Sequence, residues 1–234
     1  MLTTLTVDVL GSPMALGLAR IGGANSSYPG IVLCHHREGV DEFTLDAAQR
    51  IAGLGFVVAI PNFYHRLPPD ADWNIARRTM QDTLVVADLK ATYDFLTRQS
   101  FVRADAIGIV GHCMGGRTAF LGAAVIPAFK AAAILYGGHI FKTEGEGMLA
   151  PINFIKNIQA RVLALYGDHD HVVDVDEIRR IEDEMKTHNI KCQFHVYKNA
   201  GHAFQDFTRP EMYCEEASED SWTRLLAFLM ETLA

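Results

Sequence analysis

Hydrophobic residues along the chain fall into short apolar runs, separated by longer stretches in which apolar and polar positions alternate at helical spacing. Six runs are almost continuously apolar, which is typical of strands covered by helices on both faces of a sheet. These predicted strands occupy residues 30–36, 56–62, 106–112, 131–138, 161–168 and 192–199. The N-terminal stretch LTVDVLGSPMALGLARI differs, because a Gly-Ser-Pro turn divides it into two strands that we expect to form an edge hairpin.

Amphipathic helices are predicted between the strands. Residues 83–98, residues 175–188 and the segment from Trp222 to Leu233 place apolar side chains three or four positions apart. The alternation of strands and helices predicts an α/β fold with a mostly parallel central sheet, helices on both faces and right-handed crossovers. We expect residues 1–234 to form a single domain, since the chain has only eight prolines and shows no linker.

Composition narrows the class of protein. The chain is 49% hydrophobic and 21% charged, as soluble globular proteins are. A net charge of −7 argues against nucleic acid and anionic membranes as partners, and we predict neither a signal peptide nor a membrane span. The four cysteines form no CxxC pair, which suits reduced thiols in a cytoplasmic protein. The sequence does not indicate the oligomeric state.

One cysteine stands in an unusual setting. The stretch GIVGHCMGGRTAF places Cys113 between Gly111 and Gly115, where a predicted strand passes into a predicted helix. At so tight a turn the backbone is strained, and residues two positions away must be small to avoid the opposite arm. Gly116 is expected to let the helix approach the sheet. The turn exposes the thiol to the helix N-terminus, which favours a thiolate nucleophile; the alternative is a plain tight turn around a buried cysteine.

A cysteine nucleophile needs a histidine base, and the base needs an acid to orient it. Asp168 and Asp170 follow the predicted strand 161–168, and His202 follows the next strand on a glycine-flexed loop. Cys113, Asp170 and His202 thus lie at the ends of successive strands, in the order nucleophile, acid, histidine. We predict these three residues as a catalytic triad, with Asp168 as the second choice of acid.

Two long irregular connections, residues 64–78 and 138–154, are candidate walls of a binding pocket. In folds of this kind ligands bind beyond the carboxyl ends of the strands, although both connections are equally well explained as variable surface loops. His169 and His171 flank Asp170, but two-residue spacing without a third ligand cluster is poor evidence for a metal site. We expect neither a metal nor an organic cofactor.

Together these motifs resemble the dienelactone hydrolase family within the α/β-hydrolase fold. The resemblance spans nearly the whole chain and rests on the segments HHREGVDEF, AIPNFYHR, GHCMGG, YGDHD and AGHAF. It implies a hydrolase that cleaves a small-molecule ester or lactone through a cysteinyl acyl-enzyme. In that mechanism Cys113 is the nucleophile, His202 the general base and Asp170 the orienting acid.

The same resemblance implies an oxyanion hole and a substrate pocket. The backbone N–H groups of Met114, one residue past the nucleophile, and of Arg37 are the expected oxyanion donors. The further pocket candidates are His36, Glu38, Tyr64, Tyr136 and Phe204.

Two positions depart from the family pattern. Better-known members carry a glutamate that contacts the cysteine thiol; aligned on Gly39, this chain has His36 in that place and Glu38 two residues later. His36 beside Cys113 would either hold the thiolate as an ion pair or shape the pocket.

The second departure is Asp206, which stands where some members carry an arginine that binds a substrate carboxylate. An aspartate there is expected to repel such a group, so Arg77 or Arg78 is left as the candidate cation. These departures keep other classes open. One alternative is a ligand-binding or regulatory protein on a hydrolase scaffold, which would bind a ligand in the same cleft without acylation of Cys113. A weaker one is a thiol redox sensor, because no second cysteine of this chain is recognisably placed to resolve Cys113.

Overall fold

The computed structural model of the chain describes residues 2–22, 26–68 and 71–234. Its strands are β1 (Leu2–Val9), β2 (Ser12–Ala19), β3 (Tyr28–Cys34), β4 (Val57–Pro61), β5 (Val102–His112), β6 (Ala131–Leu135), β7 (Arg161–Gly167) and β8 (Cys192–Tyr197). They form an eight-stranded sheet in the order β1-β2-β4-β3-β5-β6-β7-β8. The β1–β2 and β2–β4 pairs are antiparallel and the remaining pairs parallel, which confirms a mostly parallel sheet with an N-terminal hairpin.

The hairpin turn lies one residue earlier than the sequence predicts. Leu10 and Gly11 form it with positive φ angles of 55° and 80°, and Ser12 and Pro13 already belong to β2. A two-residue loop with both φ angles positive matches the right-handed twist of the strands that it joins. The turn chemistry therefore resides in Leu-Gly rather than in Gly-Ser-Pro.

The described residues also form six α-helices and a 3-10 helix. The α-helices are α1 (Glu42–Gly53), α2 (Trp73–Arg78), α3 (Asp82–Thr97), α4 (Met114–Val125), α5 (Val175–Thr187) and α6 (Glu215–Leu233), and the 3-10 helix spans Pro151–Asn157. The helices predicted from hydrophobic spacing are confirmed as α3, α5 and α6. Within the described ranges, no helix combines the length and the apolar character that crossing a membrane would need.

Helices cover both faces of the sheet. In β5, a Cβ built on Gly108 would contact Leu233 of α6, whereas the next residue, Ile109, packs against Gly122 of α4. Because successive residues of a strand point to opposite faces, α6 and α4 lie on opposite sides. This is the arrangement expected for the α/β-hydrolase fold.

The parallel strands bring their carboxyl ends to one edge of the sheet. β5 ends at His112, β7 at Gly167 and β8 at Tyr197. The segments that follow these strands carry Cys113 and the other two predicted triad residues. Topology alone therefore gathers the candidate chemistry on one rim.

Candidate active site

Cys113 occupies the turn between β5 and α4 in a backbone conformation that non-glycine residues rarely adopt, with φ 55° and ψ −118°. Its N–H donates to the Leu135 carbonyl at 3.0 Å, and its carbonyl accepts from the Gly116 N–H at 2.9 Å. These bonds fasten the turn to β6 on one side and to the start of α4 on the other. The strained turn predicted from the sequence is present.

The glycines of this turn lie where a side chain would meet backbone. A Cβ on Gly111 would collide with the Gly115 carbonyl, the opposite arm of the turn, as predicted. A Cβ on Gly115 would instead collide with the Cys34 carbonyl of β3, so this glycine makes room for the neighbouring strand. A Cβ on Gly116 would lie 2.7 Å from the Leu135 carbonyl, which agrees with close packing of helix on sheet.

Three side chains from the rim form a hydrogen-bonded row. His202 Nε2 lies 3.0 Å from Cys113 Sγ, and His202 Nδ1 lies 2.8 Å from Asp170 Oδ2. The other oxygen of Asp170 accepts from the backbone N–H groups of Val172 and Val173, at 2.7 and 3.0 Å. Asp170 is thereby held with one oxygen on the imidazole, which fixes the orientation of the ring. Such a row can move a proton between a thiol and a histidine.

The surroundings of His202 favour its protonated form. Burial opposes the charge, but hydrogen bonds to Asp170 and Cys113 outweigh burial and raise the pKa of His202 from 6.5 to about 9. The ring is only 7% exposed and packs edge-on against Tyr136, with 5.3 Å between ring centroids. At neutral pH the imidazolium can therefore deliver a proton to a leaving group.

Asp168, the second choice of acid, lies elsewhere in the same turn. Its Oδ1 accepts from the Asn199 N–H at 2.6 Å, so it braces the loop that leads to His202. Among the residues that the structure describes, no three His, Cys, Asp or Glu side chains converge as metal ligands.

A cavity of about 550 Å³ adjoins the thiol. Both long connections contribute to its wall, as expected: Arg77 and Arg78 come from the first, and Gly138 and His139 from the second. The first connection is less irregular than predicted, because α2 forms its final six residues. Cys113 itself is half-buried at the cavity surface.

The two candidate oxyanion donors both lie at the cavity. Met114 begins α4, so its N–H has no acceptor inside the helix, and Arg37 lines the cavity beside it. The Tyr64 hydroxyl donates to the Arg37 carbonyl at 2.7 Å and lies 3.4 Å from the Met114 sulfur. Tyr64 therefore fixes the relative position of the segments that carry the two donors.

Two arginines at the cavity are neutralised by carboxylates. Arg117 of α4 is buried and bonds bidentately to Asp82, at 2.6 and 3.0 Å. Arg77 of α2 pairs with Glu144 of the second long connection. Because Asp82 also accepts from the Glu144 N–H at 2.9 Å, these bonds fasten that connection onto α3 and α4. The cavity wall is thus cross-linked by ion pairs.

Arg78 differs from the other arginines of the cavity. Arg37 lies 2.8 Å from Glu38, but Arg78 is exposed and has no carboxylate partner in residues 2–22, 26–68 or 71–234. Within those residues, Arg78 therefore places at the cavity a positive charge that is not paired with a carboxylate.

The expected effect of Asp206 is wrong. Asp206 is fully buried, and its carboxylate pairs with Arg209 at 2.7 Å and accepts from the Thr208 hydroxyl at 2.6 Å. Arg209 also bonds to Glu38 at 3.1 Å and lines the cavity. Asp206 therefore orients a cation instead of repelling an anion. Sequence reasoning missed Arg209, although its spacing of three residues from Asp206 is the signal that could have found it.

His36 is not placed against the thiol as expected. It is buried, with Nε2 2.8 Å from Asp41 and Nδ1 3.2 Å from both Arg209 and Glu38. The chain turns directly after it, since the Gly39 N–H donates to the His36 carbonyl at 3.1 Å. The next residue, Arg37, lines the cavity, whereas the His36 ring is buried behind it.

The other pocket candidates also lie one layer back, because none is among the described residues that line the cavity. Tyr136 and Phe204 are fully buried with their ring centroids 5.2 Å apart, and Tyr136 in turn packs against the His202 ring. Tyr64 and Glu38 act through the groups that they hold. Sequence reasoning did not single out His139 and Met212 for the pocket, and both line it.

Known proteins resemble this chain over most of its length. The model of the "Dienelactone hydrolase family" matches residues 18–233. A Methylorubrum extorquens protein named "Putative carboxymethylenebutenolidase" is 31% identical over 205 residues, which cover 85% of this chain and 70% of that protein. A Bradyrhizobium protein named "Probable 2-oxo-3-(5-oxofuran-2-ylidene)propanoate lactonase" is 28% identical over 207 residues, covering 86% of this chain and 83% of that protein.

Solved structures share the fold. A crystal structure described as a "Putative Dienelactone Hydrolase" from Klebsiella pneumoniae has a TM-score of 0.88 and 28% identity, covering 99% of this chain and 98% of its own. A dienelactone hydrolase-like phosphotriesterase from metagenomic libraries has a TM-score of 0.84 over 100% of this chain and 99% of its own, but at 21% identity it bears on the fold alone. The family match over most of the sequence and the hydrolase fold lead to one conclusion: the chain belongs to the dienelactone hydrolase family and is a hydrolase of that kind.

Proposed function

We propose that this hydrolase cleaves its ester or lactone through an acyl group carried on Cys113. The observation that carries the proposal is the row from Cys113 Sγ through His202 to Asp170, with both hydrogen-bonding distances at or below 3.0 Å. Cys113 also lies on a strained turn and lines a cavity, so a substrate in that cavity can reach the residue.

In the first half-reaction the Cys113 sulfur, as a thiolate, attacks the carbonyl carbon. The carbonyl oxygen becomes an oxyanion that accepts hydrogen bonds from the N–H groups of Met114 and Arg37, a contribution of about 3–4 kcal/mol per donor in other acyl transfers. The carbon–oxygen bond of the leaving group then breaks. The departing oxygen takes the proton from His202 Nε2, which leaves a thioester and a neutral imidazole.

In the second half-reaction water attacks the thioester carbon. His202 Nε2 removes a proton from that water, and Asp170 stabilises the imidazolium that forms. Collapse of the second intermediate breaks the carbon–sulfur bond and restores the thiolate beside a protonated His202. The products of an ester are an acid and an alcohol, whereas a lactone yields one ring-opened hydroxy acid.

The charge of the cavity supports a substrate that carries a carboxylate. Arg78 has no carboxylate partner among the described residues and faces the cavity, so it is the candidate anchor. The names of the two relatives support the same substrate class, since each names a compound with a lactone ring and a carboxyl group. The unpaired thiols of all four cysteines support a reducing, cytoplasmic setting.

Hydrolysis of aryl esters and of carboxylate-bearing lactones by Cys113→Ala, His202→Ala and Cys192→Ala tests the proposal. Cys192 is a second half-buried thiol, on the edge strand β8 and away from the cavity, and therefore serves as the matched control. We expect the first two variants to lose nearly all turnover and the control to retain it. Turnover at the wild-type rate by Cys113→Ala would contradict the mechanism.

A further inference from the structure

Strand β1 forms one end of the sheet and pairs with β2 on one side. No described strand pairs with its other side. Every residue from Leu2 to Thr6 is exposed, and Leu2 and Leu5 are each 38% exposed. The strand is also long and regular, because eight consecutive residues from Leu2 to Val9 keep an unbroken register with β2.

The direction of the free peptide groups follows from the hairpin. In a two-residue hairpin the residues that flank the turn, here Val9 and Ser12, form a hydrogen-bonded pair, and the pairs alternate from there. The Asn62 N–H donates to the Ala15 carbonyl at 3.0 Å, so this carbonyl points to β4 and leaves its opposite residue, Thr6, without that bond. The even-numbered residues of β1 therefore direct their N–H and C=O groups outward.

An edge of this kind is commonly protected by lysine, proline or a bulge. The opposite edge, β8, has such protection, since Lys191 and Lys198 stand immediately before and after it. β1 has no lysine, no proline and no bulge, and its single charged residue is Asp8. The two edges of the sheet thus differ in their readiness to accept another strand.

We propose that β1 pairs antiparallel with β1 of a second copy of this chain across a two-fold axis, which joins two sheets into one. The single charge of the strand, Asp8, does not oppose this pairing. When the axis passes through Thr4, Asp8 of one copy lies beyond the end of the partner's β1. When it passes through Leu5, Asp8 lies opposite Leu2 of the second copy, and when it passes through Thr6, Asp8 lies opposite Thr4. Like charges therefore never meet, and the outward peptide groups of both strands find partners.

A shallow groove next to β1 adds apolar surface to this edge. Its walls include Thr3, Leu5, Leu18, Phe95 and Phe101, and its volume is about 250 Å³. In the paired arrangement with the axis at Leu5, the Leu5 side chains of the two copies lie directly opposite each other beside this groove. Strand pairing would thus bury side chains as well as satisfy backbone groups.

Sedimentation velocity and light scattering over a wide range of protein concentration test the proposal. We expect the wild type to show a mass of two chains that dissociates on dilution. Thr4→Pro removes an outward N–H without breaking the ladder to β2, and Thr6→Lys places two like charges near the axis. We expect each to weaken dimerisation at least tenfold, whereas Thr223→Lys on the exposed side of α6 should leave it unchanged.

Hydrogen exchange adds a readout specific to the strand. At high concentration the amides of Thr4 and Thr6 should become protected, while those of Thr3 and Leu5, already bonded to β2, should change little. Hydrolase activity checks that each variant is folded, since β1 lies four strands from β5, about 19 Å across the sheet. A wild type that stays monomeric at all concentrations, or a dimer that both β1 variants preserve, overturns the proposal.

Discussion

Asp206 and Arg209 form an ion pair of 2.7 Å behind the cavity that contains Cys113. The carboxylate is fully buried, and the guanidinium extends from it to the cavity wall. A negative charge that the sequence places four residues after the proposed catalytic histidine, His202, is therefore compensated from within its own loop. The pair fixes the position of Arg209 at the cavity wall.

Replacement of Asp206 by alanine should destabilise the protein by about 2–4 kcal/mol, because it leaves a partly buried arginine without its principal partner. Urea unfolding measures the loss. Asp46→Ala is the matched control, since Asp46 forms a solvent-accessible pair with Arg50 on α1 at 2.6 Å, and exposed pairs are worth about 1 kcal/mol or less. Equal losses in the two variants would show that the Asp206 pair contributes no more to the free energy of unfolding than an exposed ion pair does.

Asp170→Asn should lower kcat about a thousandfold or more while leaving the fold intact. The amide still fills the site, but it no longer accepts the proton of His202 Nδ1 as a carboxylate does, so the imidazole loses its tautomer and its stabilising charge. Steady-state hydrolysis of an aryl ester measures the effect. Asp168→Asn provides the control, because Asp168 bonds to the Asn199 backbone instead, and a comparable loss there would reverse the assignment of the acid.

Stability should depend on pH through His202. Its pKa is raised from 6.5 to about 9 in the folded protein, so the folded state binds a proton more tightly than the unfolded chain. The resulting stabilisation is fully present below about pH 6.5 and is lost as pH rises through about 9. Denaturant unfolding at pH 6 and pH 9.5 should therefore give a lower free energy of unfolding at the higher pH. His202→Gln should flatten that difference; an unchanged difference would place its origin in other groups.

Arg78→Met should raise KM about tenfold for a carboxylate-bearing ester and leave KM unchanged for a neutral ester of the same alcohol. The reason is that Arg78 is the cavity arginine without a carboxylate partner among the described residues. Arg179→Met, which alters an exposed pair on α5, is the control for loss of a surface charge. Equal changes toward charged and neutral esters would exclude Arg78 as the anchor.

Periodicity and turn chemistry predict most of the fold, because each strand of the parallel sheet is a continuous apolar run with its own local signal. The turn between β5 and α4 is predictable for the same reason, since glycine at positions 111 and 116 indicates that the backbone is too close to its neighbours to leave room for a side chain. The surroundings of His36 and the contact of Arg209 with Glu38 were not predictable. Both depend on contacts between loops that are 171 or more residues apart in sequence, such as Glu38 with Arg209, and no local pattern encodes such a contact.

The central claim is that Cys113 carries the acyl group. Intact mass spectrometry of the wild type, quenched during turnover of a slow aryl ester or lactone, tests it most directly when peptide mapping follows. The account predicts a mass increase equal to that of the acyl group. Peptide mapping should locate it on Cys113, and it should be absent from Cys113→Ala. Hydrolysis without any adduct on Cys113, or an adduct that persists in Cys113→Ala, would contradict it.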